Sequence, residues 1–256
     1  MNNTKYETKR PKEKEMIFGV RAVIEAIDAG KPLDRVLLRR DMSSAIGREL
    51  ISKLEGLGTS IKKVPVEKLN QFTDKNHQGV IAFLSPIEFT DIETLIPTLY
   101  DEGKIPFIVV LDGITDVRNF GAIARTCVCA GVDAIVIAAR SGVSINGDAV
   151  KTSAGALMTL PVCKVENMQN ALQFLKDSGL QLVAATEHTE DDYTEVDMTL
   201  PTAIVMGNEE HGIYEGNLEL CDTKVRIPLL GQIESLNVSV AAGVMMYEVV
   251  RQRKSK

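Results

Sequence analysis

The chain has 256 residues, of which 45% are hydrophobic and 25% are charged, and its formal net charge of −6 argues against bulk electrostatic adhesion to nucleic acid. Its four cysteines form no C-x-x-C pair and its three histidines give no metal-ligand spacing, so we expect buried, reduced thiols and no metal. No apolar run approaches the roughly 18 residues of a membrane span, and the polar N-terminus has no apolar signal region, so the sequence predicts a cytoplasmic protein.

The front of the chain predicts a tail followed by a small domain. Residues 1–14 have the polar, charged composition of a disordered tail, and residues 15–87 have the pattern of a compact α/β domain. Ser43 is a possible N-cap and Gly58 a stop signal for one helix of this domain. The predicted elements are the helices Val20–Ala29, Ser43–Leu57 and Val66–Phe72 and the strands Arg35–Arg39, Ser60–Val64 and Gly79–Leu84.

This front part is also the basic part. Residues 1–75 carry 16 basic and 11 acidic side chains, whereas the rest of the chain carries 13 and 24. The excess of cations can supply phosphate contacts, and the alternative is an ordinary lysine-rich surface.

The remainder predicts a linker and a parallel-sheet domain. Residues 88–105 form the linker, with a connecting helix over Asp91–Tyr100. Over residues 106–256, short apolar strands alternate with helices at βαβ spacing, which favours a parallel α/β sheet. The predicted strands are Pro106–Leu111, Ala134–Ala138, Leu182–Ala185, Ala203–Met206 and Lys224–Ile227, and the predicted helices are Phe120–Ala130, Met168–Ser178 and Leu236–Arg251.

A polar loop follows the first strand of this domain, in the segment from Leu111 to Thr126. Loops at the carboxyl ends of parallel strands are where α/β folds place their sites. Asn119 either caps the next helix or belongs to such a site. Arg125, in a mostly apolar helix, forms a salt bridge or has a function. The chain has neither a dinucleotide-binding fingerprint nor a P-loop, which disfavours a classical Rossmann site.

Two further segments carry polar side chains after predicted strands. Gly207 ends one strand where a backbone can approach a ligand, and Glu209 follows it; the alternative is an ordinary glycine-rich turn with solvated acids. Ser235, Asn237 and Ser239 crowd the start of the last helix. A helix cap alone explains Ser235 but not the other two, which favours a binding site at this helix N-terminus.

A weaker signal lies in residues 146–157. Lys151 and Ser153 are the candidate site residues of this segment, and a plain surface turn explains them equally well.

In order, these segments resemble the motifs of the SpoU (TrmH) family of RNA 2′-O-methyltransferases. Asn119-x-Gly121 with Arg125 resembles motif 1, although Val117 stands where the family usually has proline. Gly207-x-Glu209 resembles motif 2, and the segment from residue 227 to 242 resembles motif 3. The weaker segment is similar to a Lys-x-Ser-x-Gly-Ala run of the family, which implies that Lys151 and Ser153 contact RNA or the methyl donor. The front domain looks like the family's substrate-binding domain, which has an L30e-like fold.

The resemblance implies a fold and a set of site residues. The fold is an α/β SPOUT domain, with a parallel sheet and a deep trefoil knot, behind the L30e-like domain. S-adenosylmethionine binds in the knotted loops without any metal, and a homodimer completes the site. The functional polar positions would be Asn119, Arg125, Glu209, Ser235 and Asn237. The donor-binding positions would be Thr186, Gly207, Ile227 and Leu236. The front domain's candidates for RNA contact are Arg21, Arg39 and Arg40, for which ordinary surface charge is an equal alternative.

The implied reaction is methyl transfer to the ribose 2′-hydroxyl of a guanosine in 23S rRNA. A guanidinium has a pKa above about 12, so we expect Arg125 to hold the ribose or its phosphate rather than to act as a base. The alternatives are a tRNA or resistance-type rRNA 2′-O-methyltransferase, a non-catalytic RNA-binding protein that uses the knot for dimerisation, and an unrelated small-molecule enzyme.

Overall fold

The computed structural model describes residues 16–55, 57, 59–140, 142–232 and 235–254. The predicted tail and the stop signal at Gly58 therefore lie outside the described residues. The chain divides into two compact units, one ending at Ser85 and the other beginning at Pro86.

The front unit contains a four-stranded mixed sheet with helices between its strands. The strand order is β1-β4-β2-β3; β4 runs antiparallel to both of its neighbours, and β2 pairs with β3 in parallel. An apolar cluster joins α1 and α2 to the sheet. The elements are β1 (Met16–Phe18), α1 (Val20–Asp28), β2 (Leu33–Arg39), α2 (Ala45–Glu55), β3 (Ser60–Val64), α3 (Val66–Asn70) and β4 (Val80–Leu84).

The sequence located every helix of this unit and missed one short strand. β1 spans three residues, too few for an alternating pattern to stand out. The predicted cap at Ser43 is wrong by one residue, because the hydroxyl of Ser44 accepts the hydrogen bond from Gly47 N at 3.2 Å.

The second unit is built on a six-stranded, fully parallel sheet, as the βαβ spacing predicted. Its strand order is β10-β8-β9-β5-β6-β7. The strands are β5 (Phe107–Leu111), β6 (Ala134–Ala138), β7 (Val162–Val165), β8 (Gln181–Ala185), β9 (Thr202–Met206) and β10 (Thr223–Val225). The helices are α4 (Ile92–Asp101), α5 (Val117–Ala130), α6 (Gly147–Thr152), α7 (Met168–Asp177), α8 (Glu215–Leu218) and α9 (Val238–Lys254), with a 3-10 turn at Ala156–Met158.

Both faces of the sheet are covered, which explains why its strands are continuous apolar runs rather than alternating ones. All five residues of β5 and of β9 are buried. α5 and α9 pack together within the core cluster on one face, and α4 and α7 within the cluster on the other. The central strands thus end at a fixed edge, from which loops project.

Three features of this unit differ from the prediction. The edge strand β7 and the short helices α6 and α8 were not predicted, since each is too short for a clear period. α5 begins at Val117 rather than Phe120. α9 begins at Val238 rather than Leu236. Within the described part of the chain, no helix has both the length and the apolar character to cross a membrane.

Candidate active site

Three side chains from distant parts of the chain meet at the carboxyl edge of the parallel sheet. The Asn119 Nδ2 donates a short hydrogen bond to Glu209 Oε1. The Asn237 Nδ2 lies 3.1 Å from Asn119 Oδ1 and 3.3 Å from Glu209 Oε1. We call Asn119, Glu209 and Asn237 the amide–carboxylate cluster. The structure thus brings together one residue from each of the three candidate segments.

Asn119 is free to join this cluster because it does not cap α5. Asp116 occupies the N-cap, where its Oδ1 accepts hydrogen bonds from Arg118 N at 2.8 Å and from Asn119 N at 2.9 Å. The cap alternative for Asn119 is therefore wrong. The side chain instead points from the first turn of α5 toward the loop after β9, at the point where the helix N-terminus favours negative charge.

Asn237 is fixed at the start of α9 by its own oxygen. Its Oδ1 accepts from Ser239 N at 3.0 Å and from Ser239 Oγ at 2.5 Å. The oxygen side of the amide therefore caps the helix while the nitrogen side reaches the cluster. Ser235, for which a helix cap was the alternative to a site role, lies before this turn and lines a pocket.

The loop that carries Glu209 is held by its own neighbour. The Asn208 Nδ2 donates to Gly113 O at 2.8 Å, and its Oδ1 accepts from Glu210 N at 2.8 Å. Asn208 also pairs with Gly212 through two backbone hydrogen bonds of 2.8 and 2.9 Å. These bonds tie the loop after β9 to the loop after β5, so Glu209 sits on a constrained turn.

Two glycines of the candidate segments are required by backbone contacts. A Cβ on Gly207 would overlap backbone atoms of Gly212 and Ile213, so only glycine fits at this position of the loop. A Cβ on Gly121 would lie 2.6 Å from the Cβ of Thr152, where α5 meets α6. Both positions therefore exclude any larger residue for steric reasons.

A pocket of about 110 Å³ opens beside the cluster, at the carboxyl ends of β8, β9 and β10. It collects three of the four predicted donor-binding residues, and Ser235 as well. Gly207 does not line it, although its neighbour Met206 does. The lining residues are Ala185, Thr186, Glu187, Met206, Val225, Ile227, Leu229, Ser235, Leu236 and Ala241. We call this the strand-end pocket.

Sequence reasoning missed several residues of this pocket. Ala185, Met206 and Val225 are the last residues of their strands, so the parallel arrangement alone could have indicated them. Glu187 is an exposed acid two residues after a strand, and no pattern distinguished it from other surface acids.

Arg125 lies outside the cluster and outside the pocket lining. It is exposed on α5, which removes the desolvation argument made for an arginine in an apolar helix. Among the residues that the structure describes, its side chain has no ion pair or hydrogen bond, so the salt-bridge alternative finds no partner. A solvated cation on this helix remains available to a ligand.

The two candidate residues of the weaker segment differ in exposure. Lys151 is exposed at the end of α6, where a cation can reach a phosphate. Ser153 is fully buried, and its Oγ donates to Val150 O at 2.9 Å. The expected RNA contact of Ser153 is therefore corrected, because its hydroxyl has no exposed surface and is already bonded within the turn.

The three candidate arginines of the front unit are exposed. Arg21 lies in the first turn of α1, and Arg39 and Arg40 lie at the end of β2. The Arg39 Nε forms an ion pair of 2.7 Å with Asp41 Oδ1, in which both side chains are largely exposed. Such a pair is weak and does not prevent Arg39 from contacting phosphate.

Cys127 and Cys163 are buried, as expected, and Cys221 is partly buried, whereas Cys129 is exposed, contrary to the expectation. Burial raises the pKa of Cys163 to about 12 and that of Cys221 to about 11. Burial also raises the pKa of Cys127, which is fully enclosed against Met246. Thiols that remain protonated are poor nucleophiles and poor metal ligands. Over the described ranges, no group of three or more His, Cys, Asp or Glu side chains could hold a metal ion.

Two protein families match this chain. Residues 106–247 match the SpoU rRNA Methylase family, and residues 16–90 match the family described as RNA 2′-O ribose methyltransferase substrate binding. A Staphylococcus saprophyticus protein named as a TrmH family tRNA/rRNA methyltransferase is 34% identical over 241 residues, which cover 94% of this chain and 97% of that protein.

Solved structures agree with these matches. The SpoU methyltransferase AviRb from Streptomyces viridochromogenes, crystallised with the cofactor AdoMet, superposes with a TM-score of 0.60 at 26% identity, over 94% of this chain and 91% of that one. A TrmH/SpoU tRNA modifying enzyme from A. aeolicus superposes with a TM-score of 0.54 at 34% identity, over 64% of this chain and 84% of that one.

Proposed function

The chain belongs to the SpoU rRNA methylase family of RNA methyltransferases, and on this premise we propose that it transfers the methyl group of S-adenosylmethionine to a ribose 2′-hydroxyl of RNA. The observation that carries the proposal is the amide–carboxylate cluster beside the strand-end pocket. Asn119, Glu209 and Asn237 converge there from three separate segments.

The strand-end pocket suits the methyl donor. The pocket has apolar walls at the ends of three strands, which match an adenine ring, and the backbones of Thr186, Ile227 and Leu236 in its lining would bond the polar groups of the donor. Glu187 adds a carboxylate that can accept hydrogen bonds from the donor's ribose hydroxyls. AviRb, a structural neighbour of this chain, was crystallised with AdoMet.

The residues of the cluster would position the acceptor ribose. S-adenosylmethionine supplies an electrophilic methyl group on a sulfonium, so the protein must align the two reacting centres and accommodate the loss of one proton. Asn119 and Asn237 are held by Glu209 and by the helix cap, which pre-orients their polar atoms toward the sugar. Exposed Arg125 would hold the ribose or its phosphate by charge.

The homodimer remains part of this proposal. α5 and α9 pack side by side, and their outer faces expose Val128, Val240 and Tyr247 at 44%, 52% and 50%. Large apolar side chains in such numbers on two adjacent helices favour an interface with a second copy. Arg125 lies on the same exposed side of α5 as Val128, so a second copy could bring it toward a reacting ribose. The deep knot implied by the resemblance belongs to the same proposal.

For the substrate, we propose a guanosine of 23S rRNA. The front unit matches a substrate-binding family of RNA 2′-O ribose methyltransferases, and its exposed Arg21, Arg39 and Arg40 can contact phosphates of folded RNA. Within the second unit, exposed Lys151 is a separate candidate for a phosphate contact. The second candidate is tRNA, because the Staphylococcus saprophyticus relative is named for both tRNA and rRNA.

Methyl transfer from labelled S-adenosylmethionine tests both parts of the proposal. The acceptors are separated rRNA and tRNA pools from cells that lack this protein, and the labelled RNA is mapped for 2′-O-methylation. Label at one guanosine of 23S rRNA is the expected result. Label only in tRNA keeps the chemistry and overturns the substrate. Absence of label, together with absence of donor binding, would favour the non-catalytic RNA-binding protein.

A further inference from the structure

A second pocket lies at the carboxyl edge of the parallel sheet and is used by neither the donor nor the cluster. Its volume is about 350 Å³, against about 110 Å³ for the strand-end pocket, and the two share no lining residue. It is formed around the N-terminus of α7 and the segment that contains α8. Its lining includes Asp112, Arg140, Glu166, Gln169, Tyr214 and Asn217. We call it the α7 pocket.

One polar atom of this lining lacks a partner. Asn217 is only 3% exposed, and its Nδ2 donates to Asp112 Oδ2 at 2.9 Å. Its Oδ1 is buried and has no hydrogen-bond partner in the part of the chain that the structure describes. Buried acceptors are almost always bonded, so this oxygen is open to a donor from a water molecule or from a ligand that enters the pocket.

The polar groups around the α7 pocket are of mixed type. Arg140 and Gln169 supply donors, and the N-terminus of α7 adds backbone N–H groups. Asp112 and Glu166 supply acceptors, and the Arg140 Nε lies 3.5 Å from Glu166 Oε2. Two carboxylates disfavour a simple anion, while the presence of both donors and acceptors suits the edge of a nucleobase.

An exposed aromatic ring completes this match. Tyr214 is 67% exposed although it is a large side chain on the wall of the pocket. Its backbone is fixed, because Tyr214 N donates to Asp112 Oδ2 at 2.8 Å. A ring on an anchored backbone is a suitable platform for an unstacked base, because every base has a π face.

We propose that the α7 pocket binds an unstacked nucleobase next to the methylated nucleotide of the RNA. Tyr214 stacks on this base, and Asn217 Oδ1 accepts a hydrogen bond from its edge. The inference rests on the proposed RNA methyl transfer. Asp112 holds the pocket wall, and the adjacent Gly113 carbonyl binds Asn208, the neighbour of Glu209. The pocket and the amide–carboxylate cluster are therefore connected through the loops after β5 and β9.

Tyrosine variants test the stacking contact. Tyr214→Ala should raise the KM for the RNA substrate about tenfold, as the loss of one stacked base does, whereas Tyr214→Phe should behave as wild type. The dissociation constant for S-adenosylmethionine should not change. Tyr100→Ala is the matched control, because Tyr100 is also exposed but bonds Ser178 O at the other end of α7. Equal KM values for Tyr214→Ala and wild type would overturn the proposal.

Ultraviolet crosslinking tests RNA binding at the α7 pocket independently of methyl transfer. The full chain is irradiated with rRNA and tRNA pools, and the peptides that carry nucleotide adducts are identified. We expect adducts on the peptide containing Tyr214. Adducts confined to residues 16–85 would refute the pocket even if methyl transfer occurs, and adducts at Tyr214 without methyl transfer would refute only the proposed reaction. Loss of the adduct on addition of micromolar guanosine or adenosine monophosphate would identify a free nucleotide, not RNA, as the ligand.

Discussion

Replacement of Asn237 by aspartate is the sharpest perturbation of the amide–carboxylate cluster. The substitution keeps the Oδ1 that caps α9 through Ser239 N, and exchanges only the amide nitrogen for a charged oxygen. That nitrogen lies 3.1 Å from Asn119 Oδ1 and 3.3 Å from Glu209 Oε1, so the new carboxylate would face two acceptors, one of them charged.

These distances give the expected loss of stability in Asn237→Asp. Two like charges about 3.3 Å apart in a water-like dielectric repel each other by roughly 1 kcal/mol. The lost hydrogen bond to a charged acceptor adds about 1 kcal/mol at this exposed position. A total of about 2 kcal/mol lowers the Tm of a domain of this size by about 4–8 °C. We expect methyl transfer to be lost as well, because the polar atoms of the cluster are displaced.

Thermal unfolding in low and high salt measures this effect. Part of the loss in Asn237→Asp should be recovered in high salt, since screening weakens the repulsion. The double variant Asn237→Asp/Glu209→Gln should recover stability without salt. Asn237→Ala, which removes the cap and adds no charge, should lose a similar amount with no salt dependence. If Asn237→Asp shows neither salt dependence nor rescue by Glu209→Gln, the reasoning about this cluster is wrong.

Three other perturbations have defined outcomes. Gly207→Ala should lower the free energy of unfolding by about 2 kcal/mol or more, because the new methyl group overlaps the backbone at Gly212. The control Gly231→Ala meets nothing within 4 Å and should leave this free energy unchanged. Denaturant unfolding measures both variants. Arg125→Ala should reduce turnover by about 10²-fold, while Arg125→Lys should retain much of it, since charge is the proposed contribution; equal losses in both would argue against a purely electrostatic role. For Cys163, burial raises the pKa from 9.0 to about 12, so its contribution to stability is complete below pH 9 and declines as the pH rises to 12; Cys163→Ala should show a shallower alkaline decline, and identical pH profiles would contradict this.

Sequence reasoning located the parts of the fold that depend on long apolar periods. The buried strands from β5 to β10 were recognised except β7, whose four residues at the sheet edge carry too little pattern. The sequence also identified the three segments whose side chains form the amide–carboxylate cluster. Parallel strands place their carboxyl ends at one edge, so convergence there could be expected from the strand pattern alone.

Roles that depend on a single hydrogen bond were less predictable. Four side chains are chemically suitable helix caps, namely Asp116, Asn119, Ser235 and Asn237. Only the structure shows that Asp116 and Asn237 are the caps. Gly207 lies against its own loop at Gly212, a contact that the sequence did not indicate. Ser153 was expected at a surface and is buried. In each instance the decisive contact is with residues that are distant in sequence or one turn away, which periodicity does not encode.

The central claim is that this chain methylates a ribose of RNA through the amide–carboxylate cluster. The most direct test is a map of 2′-O-methylation over all rRNA and tRNA from cells that carry the wild-type chain, no chain, or the chain with Asn237→Ala. We predict that one 2′-O-methylated guanosine of 23S rRNA disappears without the chain, returns with the wild type and fails to return with the variant at equal protein level. Identical maps in the three strains would contradict the account.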